Sequence, residues 1–182
     1  MTEDVQLPIL SRPLKVDEVR DGASDEIVAT GAELEAVAKM LDLVALDRLT
    51  FAYRIDHGGG GRLVLTGTLN ADAKQTCVVS LEPIEARLEV PVEMEFWPAE
   101  LLPRPERDTA EAGGPGVLDW PEAIRDDGKI DLGPIVYETL ATALDPYPRR
   151  PEASFDWPQG ERLEGEGAGT GPFASLAALK RR

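Results

Sequence analysis

The sequence predicts an α+β domain: an antiparallel sheet of about five to six strands in a hairpin meander, packed by two main helices. Apolar residues recur at helical spacing near residues 31–42 and 131–144, and between these stretches the period drops to two. Runs of strands set between separate helical stretches are the pattern of a sheet with its helices segregated. At 182 residues with 42% hydrophobic content, the chain can build one core and is too short for two ordinary domains.

Taken in order, Val5-Gln6-Leu7-Pro8-Ile9-Leu10 reads as a short edge strand, with Pro8 and Pro13 limiting its pairing. Thr30 and Glu33 have the spacing of a capping box, so a helix starts there. Leu34, Val37, Ala38 and Leu41 then form its single buried stripe. Next, Leu49, Phe51, Tyr53 and Ile55 alternate with Thr50, Ala52, Arg54 and Asp56, as in a half-buried strand. His57 and Gly58 to Gly61 make a flexible hairpin tip, and Leu63, Leu65, Gly67 and Leu69 start the return.

A second hairpin is expected to begin with a strand from Thr76 to Leu81, carrying Cys77, Val79 and Leu81 on one face, and to turn at Glu82-Pro83. Ile84, Ala86, Leu88, Val90, Val92, Met94 and Phe96 follow without a break, opposite Glu85, Arg87, Glu89, Pro91, Glu93 and Glu95. One face of this strand is core and the other wet and acidic, with Pro91 marking an edge or a bulge. From Pro98 the composition shifts to Pro, Gly, Glu and Ala, which predicts a mobile loop near 99–116. Asp126-Asp127-Gly128-Lys129 is a turn, and Asp131 is placed to cap a second helix. That helix carries Leu132, Ile135, Val136, Thr139, Leu140 and Ala143 on one stripe and ends at Asp145-Pro146. The organisation expected is one domain over 1–146, a disordered acidic linker over 147–171, and a short amphipathic basic segment over 172–182.

Lys and Arg total 19 against 34 Asp and Glu, a net charge of -15. Such a surface repels phosphate, so direct contact with RNA is expected to be weak, with a shallow salt dependence. A single cysteine, Cys77, forbids an intrachain disulfide, and a single histidine, His57, removes the usual zinc ligand sets. The acidic N-terminus does not read as a signal peptide, and no apolar stretch is long enough to cross a bilayer, so a cytoplasmic protein is expected.

Catalytic chemistry is hard to find. The four glycines are followed by Arg62-Leu63-Val64 and a strand, not by the Lys-[Ser/Thr] and helix of a phosphate loop. His57 sits beside the glycine tip, where a solvated loop role fits better than a general base. The carboxylates between Glu85 and Glu95 alternate outward, as a solvated face does, and Cys77 reads as a buried, inert thiol. No catalytic residue, metal or cofactor is therefore assigned. The C-terminal stretch is the best binding candidate. Pro172, Phe173, Leu176 and Leu179 with Lys180, Arg181 and Arg182 set an apolar patch beside three cations. It is a solubilising tail, a peptide that docks on a partner and folds there, or a stripe that packs back on the protein's own sheet.

Three stretches together resemble one family. Cys77-Val78-Val79-Ser80-Leu81 resembles the C-x-x-C-L element of the YceD family, the large ribosomal RNA subunit accumulation proteins. Gly128-Lys129-Ile130-Asp131-Leu132, running through Val136-Tyr137-Glu138-Thr139-Leu140 to Ala143-Leu144-Asp145-Pro146-Tyr147-Pro148, is similar to its G-x-I-D-L helix and the Pro-containing turn that ends it. Gly171-Pro172-Phe173-Ala174-Ser175-Leu176-Ala177-Ala178-Leu179-Lys180 resembles its terminal N-P-F-A-x-L-x-x-L-K. Ser80 stands where the family often has a second Cys, which puts any metal role of that pair in doubt, and the helix is less acidic at Tyr137 and Thr139.

The resemblance implies a non-enzymatic bacterial factor supporting 23S ribosomal RNA accumulation and large-subunit biogenesis. The partners expected are pre-large-subunit ribosomal particles or an assembly factor, with no membrane contact and a monomeric state. Two other classes compete: a protein-binding adaptor coupled to lipid or envelope synthesis, and a metal-dependent hydrolase using the acidic face.

Overall fold

Alternating apolar residues build a five-stranded sheet in the computed structural model, which describes residues 9–102 and 121–154. In chain order the elements are β1 (Pro13–Lys15), β2 (Ala23–Val28), α1 (Gly31–Met40), β3 (Ala45–His57), β4 (Leu63–Thr76), β5 (Pro83–Pro98), β6 (Glu122–Ile124), β7 (Lys129–Asp131) and α2 (Leu132–Ala143). The large sheet has the order β2-β3-β4-β5-β6, and β1 pairs with β7 in a separate two-stranded sheet. All pairs are antiparallel except β5 with β6, which run parallel through Phe96–Pro98 and Glu122–Ile124. The expected α+β class stands, with a parallel closing pair and a small second sheet added.

The meander follows the predicted alternation. Leu49, Phe51, Tyr53 and Ile55 of β3 and Leu63, Leu65, Leu69, Ala71 and Ala73 of β4 are all buried on one face. Phe51 stacks on Tyr53 at 5.7 Å between ring centroids. Gly67 makes room for this pair: a Cβ there would lie 2.7 Å from the Phe51 ring and 2.6 Å from the Ala52 carbonyl oxygen. The apolar face of β5 is only half-buried from Ile84 to Met94, and among the described residues its outer edge is paired only from Phe96 to Pro98. Pro91 stands opposite Thr68 with no bulge, so the edge explanation of this proline holds and the bulge one does not.

α1 starts where the capping box places it. The Thr30 hydroxyl accepts from the Glu33 N–H, and Glu33 Oε2 accepts from the Thr30 N–H at 2.8 Å. Val37 and Ala38 are buried, and Leu34 and Leu41 pack beside them. Asp42, with φ of 52°, takes the left-handed position after the helix, and the Leu43 N–H closes the end on the Ala38 carbonyl at 2.9 Å.

Three expectations change. The segment from Thr76 to Leu81 is not a strand: β4 runs on to Thr76, and the chain then makes a closed loop before β5. β2 was not anticipated, because Ala-Ser-Asp-Glu-Ile-Val carries a single buried side chain, Ile27. At the N-terminus, Leu10 is buried without belonging to a strand, while residues 1–8 lie outside the described residues. The predicted loop near 99–116 begins with a 3-10 turn at Ala99–Leu101, and from 103 it too lies outside them.

Candidate functional site

The Gly128–Leu132 stretch resolves into structural parts. Gly128, with φ of 70°, makes the turn between β6 and β7. Ile130 and Leu132 are core residues. Asp131 caps α2: its Oδ1 accepts from the Gly133 N–H at 3.0 Å and from the Arg12 N–H at 2.6 Å, while Oδ2 accepts from the Ser11 hydroxyl at 2.7 Å. The Arg12 guanidinium then bridges to both carboxylate oxygens of Glu33, at 2.8 and 2.9 Å. One extended segment, Ser11-Arg12, thus ties together the N-termini of both helices. The Arg12 hydrogen bonds hold the Glu33 carboxyl down at about 2, helped by the Thr30 N–H.

At the far end of α2, about 18 Å away at 1.5 Å per residue, the C-x-x-S loop meets the segment that follows the helix. The loop closes on itself: the Cys77 N–H donates to the Glu82 carbonyl at 2.9 Å and the Leu81 N–H to the Cys77 carbonyl at 3.0 Å. Leu81 has φ of 60°, in the left-handed region. The Ser80 N–H points at Cys77 Sγ at 3.4 Å. Hydrogen bonds from Ser80 and from the Arg150 and Val79 amides hold the thiol down to about 6, although the side chain is fully buried. The expected buried thiol on a strand face is therefore a buried sulfur inside a loop, with the Ser80 N–H directed at it.

The segment after α2 is clamped onto this loop. The Val78 N–H donates to the Pro148 carbonyl at 2.9 Å, and the Gln75 side chain donates to the Asp145 carbonyl at 2.8 Å. Asp145 turns the chain by accepting from the Tyr147 N–H at 2.9 Å. Arg150 ion-pairs with Glu82 and reaches the Pro83 carbonyl. Residues 147–154, assigned to the linker from composition, carry these contacts, while 155–171 lie outside the described residues. The result is a groove of about 360 Å³ lined by Leu41, Leu43, Val78, Ala141, Leu144, Pro146 and Pro148, with Gln75 and Thr76 adding polar wall and Asp42 and Asp145 its charged residues. Apolar side chains stand exposed on the same segments: Val78 at 51%, Leu81 at 75% and Tyr147 at 76%.

The structure therefore places Cys77, Ser80 and Leu81 in one loop and Gly128, Ile130, Asp131 and Leu132 at the opposite end of α2. Pro172, Phe173, Leu176, Leu179, Lys180, Arg181 and Arg182 lie outside the described residues. Sequence reading missed Glu82, Tyr147, Pro148 and Arg150 as parts of the site; Pro146-Tyr147-Pro148 between charged residues was the available signal. His57 is held at the end of β3, its N–H donating to Asp21 and its ring nitrogen 2.9 Å from the Val19 carbonyl, rather than loose in the glycine tip. Among the described residues no group of three or more His, Cys, Asp or Glu is arranged to hold a metal ion, and no helix is long and apolar enough to cross a membrane.

A helix tied down at one end and bordering a surface groove at the other completes an α+β protein. Residues 65–180 match the family model described as Large ribosomal RNA subunit accumulation protein YceD, and the chain belongs to that family. The match runs from β4 through the Cys77 loop and α2 into the terminal segment, and leaves out the Leu41–Leu43 side of the groove. No curated protein and no solved structure matches the chain.

Proposed function

We propose that this protein is a non-enzymatic, cytoplasmic factor that supports 23S ribosomal RNA accumulation and biogenesis of the large ribosomal subunit. The observation that carries this reading is the family match over residues 65–180, which takes in the Cys77 loop, α2 and the terminal segment. The partner is a pre-large-subunit particle or an assembly factor bound to it, engaged through protein contacts by a monomer. A net charge of -15 argues against naked RNA as the main ligand, because few cations are available to release counterions. Pro172, Phe173, Leu176 and Leu179 supply the apolar contacts and Lys180, Arg181 and Arg182 the charge.

Sucrose-gradient sedimentation tests the reading. The full chain is expected to travel with purified pre-large-subunit particles, and its loss from cells to lower 23S ribosomal RNA. Recovery with soluble proteins alone, and unchanged 23S levels, would overturn it in favour of an adaptor acting elsewhere.

A further inference from the structure

The groove beside the Cys77 loop mixes apolar side chains, Val78 and Leu144 among them, with polar Gln75 and Thr76, and both charged residues lining it, Asp42 and Asp145, are acidic. Its natural occupant is therefore a short apolar segment that carries cations. The chain contains one: Phe173, Leu176 and Leu179 are spaced by three, and Lys180-Arg181-Arg182 is the only run of three cations in the sequence. An isolated helix of eleven residues is marginal in water, so a segment of that length is suited to drawing its stability from a surface.

The tether suits the distance. The described chain ends at Ser154, just past the turn in which the Ala153 N–H donates to the Arg150 carbonyl, and Arg150 itself is anchored to Glu82 of the loop. From there 17 residues, 155–171, lead to the terminal segment. A random-coil chain of that length spans roughly 22 Å on average, and a tether of such reach would give the segment an effective concentration at the groove on the order of a millimolar. Even an intrinsic affinity as weak as that would leave the segment docked about half of the time.

We infer that residues 172–182 dock back into the groove formed by the end of α1, the Cys77 loop and the Asp145–Pro148 turn. The apolar stripe lies against Val78 and Leu144, and the terminal cations face Asp42 and Asp145. This deepens the functional reading above, since the segment that meets an external partner is then held in reserve on the protein itself, and partner and groove compete for it.

Hydrogen–deuterium exchange on the isolated protein, with no ribosomal particle present, separates this inference from the functional one. Three proteins are compared: the full chain, a chain ending at residue 171, and a full-length variant with Phe173→Ala, Leu176→Ala and Leu179→Ala. The expected result is that amides in 41–44, 76–81 and 145–148 exchange about twofold or more slowly in the full chain than in either variant. Amides of β3 and β4 serve as the control for folding. A synthetic peptide of residues 171–182 added to the shortened chain is expected to restore the protection saturably, and raised salt to weaken it. Equal exchange in all three proteins, or protection on another face, would overturn the inference. So would protection that grows with protein concentration, since the segment would then belong to a second copy.

Discussion

The two ends of α2 are built for different tasks. At its N-terminus, the Asp131 carboxylate, the Arg12–Glu33 bridge and the capping box of α1 form one hydrogen-bonded unit over a core that includes Leu10, Ile130 and Leu132. At its C-terminus the contacts are backbone-directed and partly wet, and apolar side chains are left in solvent at Val78, Leu81 and Tyr147. A stretch of sequence with a family signature is easily taken for a binding site. Here the G-x-I-D-L end holds the helices in place, while the C-x-x-S-L end and the residues after the helix shape a surface. Substitutions at the first end should therefore register in global stability, and those at the second in local opening.

The largest effect is expected from Gly133→Ala. A Cβ at this position would sit 2.1 Å from the Leu10 carbonyl oxygen and 2.5 Å from its carbon. Both are backbone atoms, so no side chain can rotate away, and α2 must separate from the N-terminal segment. Overpacking of this kind costs about 3 kcal/mol, the upper part of its usual range. Urea unfolding should show the midpoint falling accordingly. A change within about 0.5 kcal/mol would mean that Leu10 and Ser11 are not seated against the helix.

How much of this contrast is legible from sequence depends on whether it is local. The capping box at Thr30 and Glu33, the cap at Asp131 and the alternation through Phe51, Leu65 and Val90 are local patterns, and each was readable residue by residue. Parallel pairing of β5 with β6 was not, because it joins positions separated by more than twenty residues of chain. Cys77 was placed on a strand because Cys77, Val79 and Leu81 alternate as strand residues do. The left-handed Leu81 and the Cys77–Glu82 backbone bonds override that local preference. The reach of Arg12 to Glu33 and of Arg150 to Glu82 is tertiary, and nothing in either neighbourhood announces it.

A second, intermediate effect sharpens the comparison through pH. Glu33 is held at about 2 in the folded protein, below its ordinary range near 4.5, chiefly by the Arg12 hydrogen bonds. A depressed carboxyl pKa contributes stability that is fully present above the unfolded value and is lost as pH falls through the folded one. The contribution is thus intact at neutral pH and disappears between about 4.5 and 2. The full shift corresponds to about 3 kcal/mol. With the Arg12 and Glu33 side chains 31% and 19% exposed, solvent screening brings this down to about 1–2 kcal/mol. Urea-derived stability of Glu33→Gln should be lower than that of the natural protein at neutral pH, and the two curves should converge in acid. Parallel curves would assign the acid sensitivity to other carboxylates.

The smallest global effect, and the clearest local one, is expected from Arg150→Ala. Arg150 and Glu82 are 37% and 58% exposed, and an ion pair this wet is worth at most about 1 kcal/mol. The urea midpoint should therefore move little. Removing the guanidinium also releases the Pro83 carbonyl and the side-chain link between the loop and the chain after α2. The hydrogen bond from the Val78 N–H to the Pro148 carbonyl then closes the clamp with less support, so the Val78 amide should exchange several-fold faster. Amides of Leu65 and Leu69, in the core of β4, should be unaffected and serve as the internal reference. If instead Val78 and the β4 core accelerate together, the loop and the sheet open as one unit, and the division between a holding end and a groove-forming end of α2 fails.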